Sequence, residues 1–264
     1  METLYWRKDR MITREQLRKI HTAHLPLHVF EQDYIQALFL HTFFQMTDTF
    51  VFKGGTFLKH AYGLDRFSED LDFTQVHEQT DLPKKLEDMA NKLSMFGVEA
   101  TIDQIENESL SLNARLVYNG PLYDGSERSR GRIQIEISKR NDIFNKPEWT
   151  RLFFSYPEMR VISVLGLTKQ EVLAEKLRAL SMRKKPRDLY DVWFLLKQQV
   201  KLDSRLYEKK MNIVNKSPIV YLNLKKEDWN RDLAILLEHP PSFELVKKDV
   251  ITALKINNLH VETR

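Results

Sequence analysis

The residues best suited to chemistry lie in one stretch, Lys53-Gly54-Gly55-Thr56 followed by Ser68-Glu69-Asp70-Leu71-Asp72-Phe73. Two glycines let a backbone approach a ligand with no Cβ in the way. Thr56 reads as an N-cap, and Phe57, Leu58 and Ala61 fall at helical spacing behind it. Backbone N–H groups at such a helix start form an anion site suited to phosphate. On a strand, Asp70 and Asp72 point to one face while Leu71 and Phe73 point into a core. Neighbouring carboxylates repel, and a divalent metal is the usual means of holding both ionised. A phosphate cradle followed by paired carboxylates implies nucleotide chemistry.

A second set of charged residues lies at 171–191. Thr168 opens a helix with Glu171 at the capping-box position, and Leu173, Leu177 and Leu180 form its apolar stripe. Lys176 falls on that stripe. An ammonium there either snorkels to solvent or meets an anion, because burying it unpaired is costly. Pro186 ends this helix and begins another, whose first turn carries Asp188, with Asp191 one turn on.

Around these residues the expected elements are few. Thr49 to Phe52 reads as a short buried strand before the glycines, and residues 14–47 read as helices broken near Pro26. Histidines 21, 24, 28 and 41 have no paired carboxylate and read as interface fillers. A helix is expected over 81–96, stopped by Gly97, and strands over 98–104 and 109–118. Residues 119–131 read as a loop, and Arg128, Arg130 and Arg132 are placed there to meet phosphate or solvent. Arg132 to Ser138 is the clearest period-2 run, with Ile133, Ile135 and Ile137 opposite Gln134, Glu136 and Ser138. Val161 to Leu167 reads as a short strand or turn, and Trp229–Leu237 and Phe243–Leu254 as helices.

Gly-Gly-Thr, a spacer and Asp-x-Asp resemble the signature of nucleotidyltransferases with a polymerase-β-like fold. The fuller wording, Lys53-Gly54-Gly55-Thr56 with Arg66-Phe67-Ser68-Glu69-Asp70-Leu71-Asp72-Phe73, is similar to the AbiEii/AbiGii toxin family, which includes the MenT toxins. That family also has Glu-x-x-x-x-Lys-Leu-x-Ala-Leu, then Arg-x-Lys-x-Arg-Asp-Leu-x-Asp. Here the matches are Glu171 with Lys176-Leu177-Arg178-Ala179-Leu180, then Arg183-Lys184-Lys185-Pro186-Arg187-Asp188-Leu189-Tyr190-Asp191.

The resemblance implies an α/β (α+β) fold. Residues 1–158 would be a catalytic domain with a small mixed sheet and N-terminal helices; residues 159–264 would be a helical domain contributing Lys176 and Asp188. It implies Mg²⁺ (or Mn²⁺) on Asp70 and Asp72, with Glu136 either a third ligand on a neighbouring strand or a solvent-facing residue of an edge strand. Lys53, Gly54, Gly55, Thr56, Ser68, Arg183, Arg187 and Asp191 complete the nucleotide contacts. Asp191 either acts in the site or holds Arg187 or Lys176 in place. Ser68 is also a candidate control point, because strand alternation would set its hydroxyl on the face of the two acids. The expected protein is a toxin of a toxin–antitoxin or phage-defence pair, with an antitoxin encoded nearby. It would transfer NMP from an NTP to an acceptor such as the tRNA 3′ end. A GTP-using transferase acting on protein hydroxyls, and a nucleotide or RNA binder without turnover, are the alternatives.

Composition agrees with this. The 264 residues are 42% hydrophobic and 30% charged, with no cysteine, which suits a reducing cytoplasm. No secretory signal and no membrane span are expected. Net charge is only +4, but Lys176 to Lys216 holds 12 Lys or Arg against 4 Asp or Glu. That excess suits a polyanion or a solvated lysine-rich helical surface.

Overall fold

The computed structural model describes residues 11–21, 25–77, 81–156 and 159–263. His24 lies outside them. The elements run α1 (Arg14–Ile20), α2 (Leu27–Met46), β1 (Phe50–Lys53), α3 (Gly54–Tyr62), β2 (Asp70–Gln75), α4 (Leu82–Lys92), β3 (Glu99–Asn107), β4 (Ser111–Asn119) and β5 (Gly131–Ser138). They continue with β6 (Glu148–Leu152), β7 (Ile162–Gly166), α5 (Lys169–Arg183), α6 (Pro186–Lys197), α7 (Ser204–Ile213), β8 (Val220–Tyr221), α8 (Lys226–Ala234), α9 (Phe243–Ile256) and β9 (Val261–Glu262). The chain forms two compact units: residues 1–63, 67–141 and 149–166, and residues 64–66, 142–148 and 167–264. Among the described residues no helix is long and apolar enough to cross a membrane.

The first unit is built on a mixed seven-stranded sheet in the order β3-β4-β5-β2-β1-β7-β6. β1 and β2 are antiparallel, whereas β2 and β5 run parallel. Period-2 alternation gives this sheet two unlike faces. Leu71, Phe73, Ile133, Ile135, Ile137, Leu112 and Leu116 are buried on one. α2 covers that face: Phe43 stacks on Phe73 with centroids 4.4 Å apart, and Phe52 stacks on Phe73 at 5.1 Å. Each such ring contributes about 1.5–3 kcal/mol by leaving water. α2 is buried along most of its length, which explains why its sequence shows little amphipathic stripe. Glu136 is therefore not on an edge strand, since β5 lies between β4 and β2.

In the second unit α5 and α6 pack beside each other, with α7 on α5 and both α8 and α9 on α6. Lys184 in the left-handed region ends α5, and Pro186 opens α6. The Glu171 capping box does not form. Thr168 accepts from the Glu171 N–H, but the Glu171 carboxylate instead takes the N–H groups of Phe144 and Asn145 at 3.0 and 2.9 Å and pairs with buried Lys210 at 2.5 Å. β6, α7 and the short β8–β9 ribbon have no clear sequence signal. β6 has one buried residue, and α7 buries Leu206, Tyr207, Lys210 and Met211 among polar neighbours.

Candidate active site

β1 runs directly into α3, and the turn between them is set by Gly54 at φ +79°. Only glycine holds that backbone without strain. It also has no room for a side chain, because a Cβ there would lie 1.9 Å from Asp72 Oδ2. The Asp72 carboxylate thus sits against the start of α3. That helix has no side-chain cap and no acidic residue in its first turn. Its first N–H groups, at Gly54 and Gly55, and its dipole favour negative charge there.

Thr56 is not the N-cap. Lys53 holds that position, and Thr56 lies fully buried inside α3 with its hydroxyl donating to the Asp70 carbonyl at 2.6 Å. It ties the glycine turn to the acid strand. From the other side, the Gln36 amide donates to the carbonyls of Ser68 and Glu69 at 3.0 and 2.9 Å, and Gln32 donates to Glu69 at 3.0 Å. Ser68 precedes β2, which starts at Asp70, so strand alternation does not extend to its hydroxyl. Buried Asp33 anchors α3 to α2 through Lys59 and His60, and also accepts from the Tyr156 hydroxyl beyond β6. Burial alone would raise the Asp33 carboxyl, but Lys59 and His60 outweigh it and hold it well below the usual range.

Asp70 and Asp72 are half-buried on β2, on the face opposite the apolar core. Register continues that face across three strands: Lys53 lies opposite Asp72, and Asp72 opposite Glu136. Asp70 lies opposite Gln134. Glu136 is exposed. These are the hard oxygen donors that a magnesium or manganese ion takes, and the Gly54 gap seats one of them. Among the described residues no group of three or more His, Cys, Asp or Glu side chains is gathered as a metal site. The metal fit therefore rests on the Asp70–Asp72 pair, with Glu136 next in register.

The second unit gathers a buried ionic cluster. Asp191, with no exposure, accepts from Arg66 Nε and Nη2 at 2.6 and 2.7 Å and from Lys176 Nζ at 2.7 Å. Burial would raise its carboxyl, but Arg66 and then Lys176 hold it below the ordinary carboxylate range. Asp188, also fully buried, takes both forks of Arg183 at 2.7 and 2.8 Å, and Lys176 lies 4.0 Å away. Asp191 thus pairs with Lys176 as well as with Arg66. Arg183 is committed to Asp188, and Arg187 is half-buried on α6. Arg66 is the residue that sequence reasoning missed. It stands four residues before Asp70 inside the first motif, and that position was its only signal.

The family described as "Nucleotidyl transferase AbiEii toxin, Type IV TA system" matches residues 38–253. The chain belongs to this AbiEii family. It is a nucleotidyltransferase toxin of the toxin–antitoxin kind, which implies an NTP substrate and a cognate antitoxin. Two solved structures share its fold. One is MenT4, a nucleotidyltransferase toxin from Mycobacterium tuberculosis H37Rv, at TM-score 0.69 and 16% identity, covering 92% of this chain and 88% of that one. The other is JHP933 from Helicobacter pylori, at TM-score 0.57 and 18% identity, covering 88% and 92%. Among curated proteins none matches the chain.

Proposed function

We propose that this AbiEii toxin transfers NMP from an NTP to the 3′ end of a tRNA, with Mg²⁺ or Mn²⁺ held by Asp70 and Asp72. The observation that carries the reading is the glycine turn at Gly54 pressed against Asp72, beside a second acid on the same strand face. When bound, the metal would neutralise phosphate charge and lower the pKa of the attacking hydroxyl. The N–H groups of Gly54 and Gly55 bind phosphate oxygens, while Thr56 holds the Asp70 strand at that turn. The acceptor oxygen bonds to the α-phosphorus, the bond to the bridging oxygen breaks, and pyrophosphate leaves. Glu136, the exposed acid nearest in register to Asp72, receives the hydroxyl proton.

Lys176 supplies positive charge for the triphosphate, and Asp191 with Arg66 orients it. Asp188 serves the same reaction through its contact with Arg183. The exposed Lys184, Lys185, Lys201, Arg205, Lys209 and Lys216 support an RNA acceptor. The biological setting proposed is growth arrest relieved by the antitoxin, including defence against phage. Incubation with each labelled NTP, Mg²⁺ and total RNA tests the reading. Label entering tRNA supports it; label entering protein alone, or no label at all, would reject the acceptor or the turnover respectively.

A further inference from the structure

The first unit holds a cavity of about 410 Å³ that the metal face does not use. It lies between the start of α2 and the segment that leads into β5. Arg128, Arg130 and Arg132 line it together with Glu31, Tyr118 and Leu122. Its volume is within the roughly 300–1,000 Å³ of small-molecule sites and exceeds what one inorganic anion needs.

The walls are built rather than incidental. Gly131 passes so close to the Tyr118 ring that a Cβ would lie 2.0 Å from it, and at Gly120 a Cβ would lie 2.6 Å from Glu31 Oε1. Two glycines thus let the loop close down on the aromatic ring and the carboxylate. Glu31 is only 3% exposed, yet it lines the cavity. Its Oε1 accepts from the Leu122 N–H at 2.6 Å, and its Oε2 has no hydrogen bond among the described residues. Burial pushes its carboxyl up. That oxygen is an acceptor for an amino or hydroxyl donor on a ligand.

The guanidinium groups are unevenly engaged. Arg130 donates to Asn119 at 3.2 Å and to Glu127 at 3.0 Å, Arg132 donates to the Arg130 carbonyl at 3.3 Å, and Arg128 has no partner among the described residues. Tyr118 is 1% exposed and serves as wall rather than as a stacking face. An apolar contact at Leu122, a buried acceptor and three guanidinium groups match one chemical class, a nucleotide with its phosphate.

Placement selects the source. Arg132, Gln134 and Glu136 share one face of β5, and Asp72 is the register partner of Glu136. Arg132 is four residues from Glu136, roughly 13 Å along the strand. Gln32 donates to the Arg132 carbonyl at 3.3 Å and to the Glu69 carbonyl beside Asp70 at 3.0 Å, so the cavity wall and the acid strand are joined. A polynucleotide can reach from the cavity to the acids, whereas a mononucleotide here stays away from them.

We propose that this cavity is a nucleotide subsite for the RNA strand, with Arg128 and Arg132 on its phosphate and Leu122 and Glu31 on its nucleoside. This rests on the reading that the acceptor is RNA. The test uses the full chain with Arg128→Gln and Arg132→Gln together, and Arg128→Glu alone, which alters a side chain bearing no fold contact. Binding of a fluorescent single-stranded oligoribonucleotide is measured against binding of a fluorescent NTP, with urea midpoints as the fold control.

Oligoribonucleotide affinity should fall about tenfold or more, and the slope of log affinity on log salt should drop by about 1–2, with NTP affinity unchanged. Unchanged oligoribonucleotide binding overturns the proposal, as does equal loss of NTP binding in a folded variant. AMP displacing the strand as tightly as the strand itself binds would make the cavity a free-nucleotide pocket and also overturn it. Wild-type protein that binds RNA through these arginines but labels no RNA would reject the acceptor reading and keep the subsite. Labelling of RNA with binding untouched by the substitutions would do the reverse.

Discussion

The acids of β2 and the acids of α6 are treated oppositely by the fold. Asp70 and Asp72 lie half-buried on an open polar sheet face, with Asp72 against a helix N-terminus. Asp188 and Asp191 have no exposure at all, and each is bonded to a guanidinium group. The first pair keeps part of its surface in contact with solvent. The second pair stabilises its helices only while its counter-charges stay in place, since a buried unpaired charge is costly. Equal numbers of carboxylates thus lie partly exposed in one region and act as internal ties in the other.

The largest effect expected from breaking this contrast is on the sheet face. Asp72→Asn should lower nucleotide transfer by at least about 10³-fold while the urea midpoint stays near wild type. Labelled-NTP transfer beside an unfolding curve measures both. A folded Asp72→Asn protein with near-normal transfer would mean that the two regions do not differ in role.

On α6 the order reverses. Asp191→Ala leaves Arg66 and Lys176 buried without their anion and should cost about 3–5 kcal/mol of stability. Lys176→Ala should cost less, because Arg66 still pairs Asp191; of the two outcomes open to an ammonium on that stripe, Lys176 meets an anion. The pH dependence follows from the lowered Asp191 carboxyl. Its contribution is complete above the unfolded value of about 3.9 and is lost as pH falls through the lower folded value. The urea midpoints of wild type and Asp191→Asn should therefore converge only below about pH 4.

Smaller effects sharpen the comparison at the glycine turn. Gly54→Ala meets both the positive φ and the Asp72 carboxylate, and should cost about 1–2 kcal/mol. It should also lower transfer about tenfold or more, by displacing Asp72. Thr56→Val removes one buried hydrogen bond to Asp70 and should cost about 1 kcal/mol. Transfer that survives Gly54→Ala at the wild-type rate would separate the turn from the chemistry.

Legibility followed the same divide. β2 and β5 were readable because alternation over a few residues reports directly which side chains share a face. The strand starting at Asp70 and the β5 span of 131–138 appear where that pattern puts them. Thr56 was misread because N-capping and a buried hydroxyl that donates to a neighbouring strand use the same residue type. Glu171 was misread likewise: its capping spacing is local, whereas its partners Phe144, Asn145 and Lys210 are 26 or more residues away in the chain.

Sequence alone determined the family wording, the same-face acids of β2, the glycine turn, and the break between α5 and α6 at Pro186. Each depends on backbone preferences or side-chain periods acting within a few residues. Tertiary structure decided that Arg66 pairs with Asp191 across 125 positions, that Lys176 joins them, and that β5 is interior beside β2. Those outcomes come from which surfaces exclude water together, and desolvation makes a buried charge choose its partner by distance in space rather than along the chain.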